Sequence, residues 1–325
     1  MGLMETVDRQ FIGNAAAVKR LRDRAAAGGT GVHAYVLTGP AGVGKRTLAE
    51  RFATMLLCTG ELTDGDGISG LAPCGQCPSC RLSAAGNHPD FHVLRREEPV
   101  GIERIRELIH TLELRPHTGR HQVGLIPDAE RLGIPAQNAL LKLLEEPPAR
   151  AVLVLTASSP ASLLPTTVSR CQRIPLGPVD AGELAAGLAE RGASDTELVA
   201  ARAEHRPGRA IRLAEDPAVA EAVVEHEAAL LAVLTASIPG RLATAKALAE
   251  DRDVLRETLD AWIAVFRAAL REHPAGAART LAETLPLPER QAGLVRLFAA
   301  RRNLRYNPNT QLVTEHLLLN LGTKC

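Results

Sequence analysis

The stretch GPAGVGK at residues 39–45 decides the expected fold, because it matches the GxxxxGK spacing of a phosphate-binding loop. An apolar run of strand length, Ala34–Thr38, precedes it, and residues 47–57 carry apolar side chains at helical spacing. Glycines at this spacing let the backbone N–H groups surround a phosphate at a helix N-terminus, and the lysine adds a positive charge. The candidate nucleotide-binding residues of this loop are Gly39, Gly42, Gly44 and Lys45.

Two further apolar runs of strand length, Gln122–Ile126 and 151–156, flank a helical stretch at 136–146 that Pro147 and Pro148 terminate. Neither run alternates between polar and apolar residues, which is typical of strands covered on both faces. We therefore expect the first half of the chain to form an α/β domain around a parallel sheet.

The second half of the chain is predicted to be helical. After Ala181 no run has the character of a strand, alanine is abundant, and proline or glycine separates the helical stretches. We expect one domain boundary near Gly177 and Pro178 and a softer one near Asp216 and Pro217. The chain is thus expected to combine an α/β part with an all-α part.

Composition limits the function classes. The 325 residues include 46% hydrophobic and 23% charged residues, and 38 Lys+Arg against 37 Asp+Glu give a net charge of +1. These values exclude a disordered, collagen-like or disulfide-stapled miniprotein and argue against a wholly basic nucleic-acid coat. No apolar stretch reaches the ~18 residues that a membrane span needs, and no leader is recognised, so we expect a cytoplasmic protein.

The phosphate loop departs from the pattern of an active ATPase at its magnesium position. The residue after Lys45 should be Ser or Thr, whose hydroxyl binds the ion, but it is Arg46, and Thr47 follows one residue later. One residue corresponds to about 100° of helix, so we expect Thr47 to face away from the metal. The alternative is a relic loop whose glycines only shape the turn.

The strand at 122–126 leads into a second departure. In active ATPases such a strand delivers a metal-binding Asp, often beside a Glu that positions water. Here Asp128 is present, Ala129 occupies the neighbouring position, and Glu130 lies one residue too far. Two departures in one site favour a subunit that keeps the fold without efficient hydrolysis, and whether ATP binds stays open.

Four cysteines have the spacing of a metal site. Cys74, Cys77 and Cys80 form a C-x2-C-x2-C pattern, and Cys58 lies fifteen intervening residues upstream. Four thiolates make a closed tetrahedral zinc site, which is structural because no position remains for water or substrate. An iron–sulfur cluster and unligated thiols are the alternatives, and His88 is a second candidate for the fourth ligand.

The order of these motifs resembles that of bacterial clamp-loader subunits of the AAA+ class over roughly residues 10–180. Because both the loop and the acidic pair are altered, the chain is most similar to the delta-prime subunits of DNA polymerase III clamp loaders. The tail at 303–312 is similar to the C-terminal end of that group. The segments that carry the resemblance are 33–45, the four cysteines, the Asn-His-Pro-Asp sequence at 87–90, residues 137–148, and Ser169-Arg170-Cys171.

The resemblance implies an AAA+ RecA-like domain at residues 1–177 with a zinc-bearing insertion at 58–80, a helical lid at 178–217, and a C-terminal helical collar at 218–325. It implies other clamp-loader subunits in a hetero-oligomeric ring, a sliding clamp, and primed DNA reached through the complex as partners, and no membrane. The implied function is to help load the sliding clamp on primed DNA.

The resemblance also gives Arg170 a role in the active site of a neighbour. In Ser169-Arg170-Cys171 the arginine matches an arginine finger that reaches the ATP of the adjacent subunit. A guanidinium is always charged and offers forked donors to phosphate oxygens, so it stabilises the transition state in trans. Without the resemblance, a solvated arginine at a helix end is the simpler interpretation. Cys171 is expected to be a small buried hydrophobe.

At other functional positions of the family this sequence matches only in part. Ser158 follows the strand at 151–156, where an active relative places a polar residue that senses the terminal phosphate. In active members a G-x-x-R motif contributes an arginine from the lid, and Ile211 stands at that position here. Glu145 and Glu146 precede two prolines and are interpreted as a solvated helix end rather than an acid–base pair.

The leading hypothesis is a clamp-loader subunit that does not hydrolyse ATP efficiently and supplies Arg170 to a partner. The alternative is a catalytically active AAA+ ATPase motor subunit of the same complex, against which Arg46, Ala129 and Ile211 argue. A third hypothesis is a zinc-dependent DNA-binding module, which residues 74–80 disfavour because no basic or aromatic surface is evident around them.

Overall fold

The computed structural model describes most of the chain, which separates into two compact units. The described residues are 11–28, 31–64, 71–94, 101–304 and 309–322. Unit 1 comprises Met1–Glu183 with Arg206–Gly208, and unit 2 comprises Leu184–His205 with Arg209–Cys325. Residues 305–308 of the tail and Cys325 lie outside the described residues.

Unit 1 is built from strands and helices that alternate along the chain. Its strands are β1 (Ala34–Thr38), β2 (Thr63–Asp64), β3 (Leu71–Ala72), β4 (Phe91–Val93), β5 (Gln122–Ile126), β6 (Ala151–Ala157) and β7 (Gln172–Pro175). Its helices are α1 (Ala15–Ala26), α2 (Lys45–Leu57), α3 (Pro78–Ala84), α4 (Ile102–Glu113), α5 (Ile134–Glu145) and α6 (Pro165–Val168). Short 3-10 turns, Ala129–Arg131 and Pro160–Ser162, follow β5 and β6.

A five-stranded sheet in the order β4-β5-β6-β1-β7 forms the centre of unit 1, and every neighbouring pair in it is parallel. Strand β1 lies between β6 and β7, and Thr38 at its end is opposite Ala157 of β6. Because parallel strands share a carboxyl edge, the residues that follow β1, β5 and β6 emerge on the same side of the sheet. The predicted parallel sheet is confirmed.

The strands of this sheet face two apolar layers with alternate residues. In β1, Tyr35 and Leu37 belong to the cluster that contains α1 and α2, whereas Ala34 and Val36 belong to the cluster that contains α4 and α5. Every residue of β1, β5 and β6 is buried. Burial on both faces is the reason that these strands are continuous apolar runs in the sequence.

The predicted elements agree with the observed ones with small shifts, and several observed elements were not predicted, namely β2, β3, β4, β7, α1, α3, α4 and α6. Strands β1 and β5 have the predicted bounds, whereas α2 begins at Lys45, β6 extends to Ala157, and α5 begins at Ile134 and ends at Glu145. Among the elements that were not predicted, β4 and β7 have only 3 and 4 residues and mix polar with apolar side chains.

From Ala181 onward the described residues form helices and no strand, as predicted. No helix in the described residues combines the length and the apolar character of a membrane span. The helices are α7 (Ala181–Ala189), α8 (Thr196–Arg202), α9 (Pro207–Glu215), α10 (Pro217–Thr235), α11 (Ile238–Ala249), α12 (Arg252–Ala268), α13 (Ala277–Thr284), α14 (Leu287–Asn303) and α15 (Thr310–Asn320).

The core of unit 2 surrounds Trp262, the only tryptophan in the sequence. Its side chain is fully buried, and its indole Nε1 donates a hydrogen bond of 2.9 Å to the carbonyl of His226. Buried Leu259, Ile263 and Phe266 lie on the same helix, α12, and residues from α10, α11, α13, α14 and α15 complete the cluster. The fluorescence of Trp262 therefore reports on unit 2.

A buried arginine joins the ends of two helices in unit 2. Arg241 is only 8% exposed. Its Nη1 donates to the carbonyls of Leu318 and Leu321, each at 2.8 Å, at the C-terminal end of α15. Its Nη2 donates to Leu234 at 3.0 Å and its Nε to Ala236 at 3.3 Å, at the end of α10. One guanidinium therefore satisfies carbonyls at two helix C-termini, where a positive charge is also favoured.

We expect Arg241→Ala to lower the free energy of unfolding of unit 2 by about 2–4 kcal/mol, because it leaves buried carbonyls without donors. Urea titration of the full chain, followed by Trp262 fluorescence, measures the change. The control is Arg256→Ala, which removes an exposed arginine paired with Asp253 at 2.9 Å. Its effect should stay within about 0.5 kcal/mol. Equal effects of the two substitutions would contradict the capping role.

Candidate functional site

The loop at residues 39–45 has the backbone shape that its glycines require. Gly39, Gly42 and Gly44 have φ values of 150°, 83° and 91°. A Cβ atom on Gly39 would lie 2.1 Å from the carbonyl oxygen of Leu176, so this position accepts only glycine. Gly44 is the N-cap of α2, so the loop leads directly into the N-terminal N–H groups of a helix, which have no partner within the helix itself.

The two basic residues at the start of α2 point to different partners. Lys45 Nζ donates to the carbonyls of Gly39 at 2.6 Å and Pro40 at 2.9 Å, so its charge lies over the loop. Arg46 instead extends along the helix, and its Nε donates to Glu50 Oε1 at 2.7 Å. The position that should supply a magnesium-binding hydroxyl is therefore occupied by an ion-paired guanidinium, which has no acceptor atom.

The acidic residues after β5 are held in place by the end of β6. Asp128 is half-buried with a φ of 49°, and its N–H donates to Thr156 Oγ1 at 3.0 Å. Ala129 is 1% exposed and belongs to the apolar core. Glu130 Oε1 accepts a hydrogen bond of 3.0 Å from the N–H of Ser158. The carboxylate of Glu130 is thus hydrogen-bonded to the backbone of Ser158, the residue that the sequence predicts at the phosphate-sensing position.

The four cysteines of the predicted metal site lie together. The sulfur atoms of Cys58, Cys74, Cys77 and Cys80 are all within 4.8 Å of one another, and those of Cys74 and Cys80 are 3.9 Å apart. A tetrahedral ion with bonds of about 2.3 Å needs sulfur atoms about 3.8 Å apart, so the set fits such an ion with small adjustment. The four thiols can therefore hold a metal ion.

Local backbone geometry presents these thiols. Cys77 is the N-cap of α3, and its Sγ accepts the N–H of Cys80 at 3.4 Å. The N–H of Cys77 in turn donates to Cys74 Sγ at 3.4 Å. Cys58 follows the last residue of α2, Leu57, so the fourth thiol comes from the opposite end of the helix that the loop begins.

The four thiols differ in acidity. Burial raises the pKa of Cys58 and of Cys80. Burial also acts to raise the pKa of Cys77, but hydrogen bonds from the side chain of Thr59 and from the backbone of Cys80, Thr59 and Gly60 outweigh it and lower the pKa to about 5. These donors stabilise the thiolate of Cys77, which is the form that binds a metal.

Arg170 lies in the turn between α6 and β7, and its side chain is 36% exposed. Its Nη2 pairs with Glu145 Oε1 at 2.7 Å, and its Nη1 donates to the carbonyl of Thr166 at 3.0 Å. Two contacts use two of the five N–H donors of a guanidinium. The pairing with Glu145 was not anticipated, since the sequence indicated only a solvated helix end at this glutamate. Cys171 is buried, which raises the pKa of its thiol to about 12.

Residues 13–180 match the model of a protein family described as DNA polymerase III, delta subunit. DNA polymerase III subunit delta' of Pseudomonas aeruginosa is 44% identical over 142 residues, which are 43% of this chain and 41% of that protein. DNA polymerase III subunit tau/gamma of Haemophilus influenzae is 34% identical over 157 residues, 48% of this chain and 22% of that protein. The chain thus spans less than half of the length of these relatives.

A solved structure extends the similarity of fold to nearly the whole chain. It is a DNA polymerase III gamma subunit-related protein from Thermotoga maritima, with a TM-score of 0.52, 17% identity, and coverage of 94% of this chain and 98% of that chain. This similarity concerns the fold alone, and the predicted combination of an α/β part built on a parallel sheet with an all-α part is confirmed. Because the family match extends over more than half of the sequence, the chain belongs to the DNA polymerase III delta subunit family.

Proposed function

We propose that this chain is a clamp-loader subunit of the bacterial DNA polymerase III holoenzyme and helps to load the sliding clamp on primed DNA. The observation that carries the proposal is the family match over residues 13–180, and the delta' and tau/gamma relatives support it. Its partners would be other clamp-loader subunits in a hetero-oligomeric ring, the sliding clamp, and primed DNA contacted through the complex. This activity places the protein in the cytoplasm.

The proposed division of labour follows the order of the chain. Residues 1–177 form the nucleotide-type domain with the zinc module at 58–80, residues 178–217 the lid, and residues 218–325 the collar that assembles with other subunits. The helical character of the described residues from α7 onward supports a lid and a collar of helices.

In the proposed function the subunit does not hydrolyse ATP efficiently. Three contacts support this: Arg46 is paired with Glu50, Ala129 is buried in the core, and Glu130 is bonded to the N–H of Ser158. No group at these positions can both hold magnesium and orient water. Gly39, Gly42, Gly44, Lys45 and Asp128 then form a degenerate nucleotide site. An active motor subunit of the same complex is the alternative that the experiments below test.

The catalytic contribution in this function is made in trans by Arg170. Its guanidinium is exposed at a turn and held from two sides by Glu145 and the carbonyl of Thr166. Reaching the ATP of an adjacent subunit, it would donate N–H groups to the terminal phosphate oxygens and stabilise the charge that develops there.

The metal in this function is zinc, held by Cys58, Cys74, Cys77 and Cys80. A four-thiolate zinc ion is closed to water and substrate, so its chemistry is structural. Two of the four ligands, Cys58 and Cys80, are buried, which suits an ion that fixes the insertion onto the rest of unit 1.

We expect about one zinc ion per chain, and Cys77→Ser should remove most of it because three thiolates hold the ion much less tightly. Elemental analysis of the purified protein measures both. Cys171→Ser is the control, because this buried thiol lies outside the cluster. Finding iron, or finding no metal in the wild type, would refute the assignment.

We expect the isolated wild-type protein to hydrolyse ATP no faster than its Lys45→Ala variant, because the magnesium and water positions lack suitable groups. Phosphate release at saturating magnesium ATP measures the rates. Tight binding of ATP together with a hydrolysis rate that Lys45→Ala abolishes would instead establish the motor subunit.

We expect Arg170→Ala to leave the isolated subunit folded and to reduce ATP hydrolysis at the site it faces in the reconstituted complex by about 10³-fold or more. Single-turnover hydrolysis by the assembled complex measures this loss. Arg173→Ala, which removes another exposed arginine three residues later, should leave the rate unchanged. A complex with unaltered hydrolysis would remove Arg170 from this role.

A further inference from the structure

A buried chain of hydrogen bonds lies directly behind the four thiols. Ser79 is fully buried between Cys77 and Cys80 on α3, and His88 is 5% exposed. Ser79 Oγ lies 2.6 Å from the carbonyl oxygen of Leu57 and 2.5 Å from His88 Nε2. His88 Nδ1 accepts the N–H of Asp90 at 3.0 Å. Ser79, His88 and Asp90 thus form a continuous polar bridge from the cysteine cluster to the start of β4.

The donor in each hydrogen bond of this bridge can be assigned from the groups that can only accept. A carbonyl oxygen only accepts, so the hydroxyl of Ser79 donates to Leu57, and its oxygen then accepts the N–H of His88 Nε2. The imidazole is therefore the neutral tautomer with its proton on Nε2. Both of its nitrogens are engaged, and the group of described residues that could hold a metal ion comprises the four cysteines without His88.

The far end of the bridge is anchored to the loop before β5. The carboxylate of Asp90 accepts the N–H groups of His117, Thr118 and Gly119 at 2.6, 2.7 and 2.6 Å. Burial would raise the pKa of Asp90, but these three donors outweigh it and hold the pKa below its usual value. The carboxylate of Asp90 thus fixes the loop through three backbone N–H groups.

The same loop also binds the segment that carries Cys58. Arg120 Nη2 donates to the carbonyls of Thr59 and Gly60, each at 3.1 Å, and His121 Nδ1 lies 3.1 Å from the carbonyl of Leu56. A Cβ atom on Gly119 would lie 2.8 Å from Leu57 Cδ2, so the backbone of the loop packs closely against the side chain of Leu57. The position of Cys58 is therefore set from outside the cluster.

We propose that the Ser79–His88–Asp90 bridge is the support of the metal site, holding Cys58 in register with Cys77 and Cys80, so that His88 sets the metal affinity without binding the metal. The inference rests on the proposed metal site. Ser79 is the link between the two halves of the ligand set, because its hydroxyl binds the residue before Cys58 while its backbone lies between Cys77 and Cys80. Groups that orient metal ligands in this way typically change metal affinity by about 10–100-fold.

The test measures the zinc affinity of the full chain. A chelating indicator competes with the protein for zinc, and zinc is the only metal added. Ser79→Ala and His88→Ala should each weaken zinc binding by about 10–100-fold. Two controls match them. Ser83→Ala removes a buried hydroxyl of α3 without a hydrogen-bond partner in the described structure, and His33→Ala removes a half-buried histidine whose Nε2 lies 2.9 Å from the carbonyl of Leu144, away from the bridge. Both controls should bind zinc within about twofold of the wild type.

The outcomes distinguish failure of the proposed bridge from failure of the proposed zinc site. A wild type without zinc overturns both, whereas a zinc-binding wild type whose four variants have equal affinity overturns only the bridge. If His88→Ala does not fold, as judged by circular dichroism, the comparison of Ser79→Ala with Ser83→Ala decides. Nitrogen NMR of the zinc-loaded wild type adds a direct test, since a proton on Nδ1 of His88 would contradict the bridge.

Discussion

Unit 1 depends on the position of strand β1 between two parallel neighbours. Hydrogen bonds to β6 and β7 hold both edges of β1, and helices cover both of its faces. The chain leaves β1 at Gly39. There the N–H of Leu176 donates to the carbonyl of Thr38 at 2.7 Å, and the carbonyl oxygen of Leu176 leaves no room for a side chain on Gly39. The first glycine of the loop is thus required by backbone packing alone, and it would be retained in a subunit that binds no nucleotide.

Much of unit 1 could be predicted because its signals are local. Continuous apolar runs indicated β1, β5 and β6, and the spacing of four cysteines indicated which thiols meet. The rest depends on contacts between distant parts of the chain. Nothing near Glu145 indicates that it pairs with Arg170, and nothing near Asp90 indicates that a loop some thirty residues later surrounds it. Strands β4 and β7 are short, and their pairing with longer neighbours, rather than their own sequence, makes them strands.

The departures from an active ATPase site have been absorbed into the surrounding structure. Arg46 has an acidic partner one turn along its helix, Ala129 fills a place in the core, and Glu130 receives a backbone N–H. A buried carboxylate at position 129 would require partners that the apolar cluster does not supply. Converting these three positions to the residues of an active ATPase would therefore take several coordinated substitutions, and a single change at Arg46 would leave the other two positions unchanged.

Helix α2 begins at Lys45 in the phosphate loop and ends at Leu57, immediately before Cys58. Its 13 residues make a rod about 20 Å long. Both ends of this helix are fixed relative to the sheet. The loop glycines fix its N-terminal end, and the contacts around Leu57 fix its C-terminal end. A metal ion bound to Cys58 would therefore fix the C-terminal end of α2, the helix whose N-terminal N–H groups face the loop. A tilt of α2 that alters the shape of the phosphate loop would also displace Cys58. The phosphate loop and the cysteine cluster are therefore coupled through this one helix.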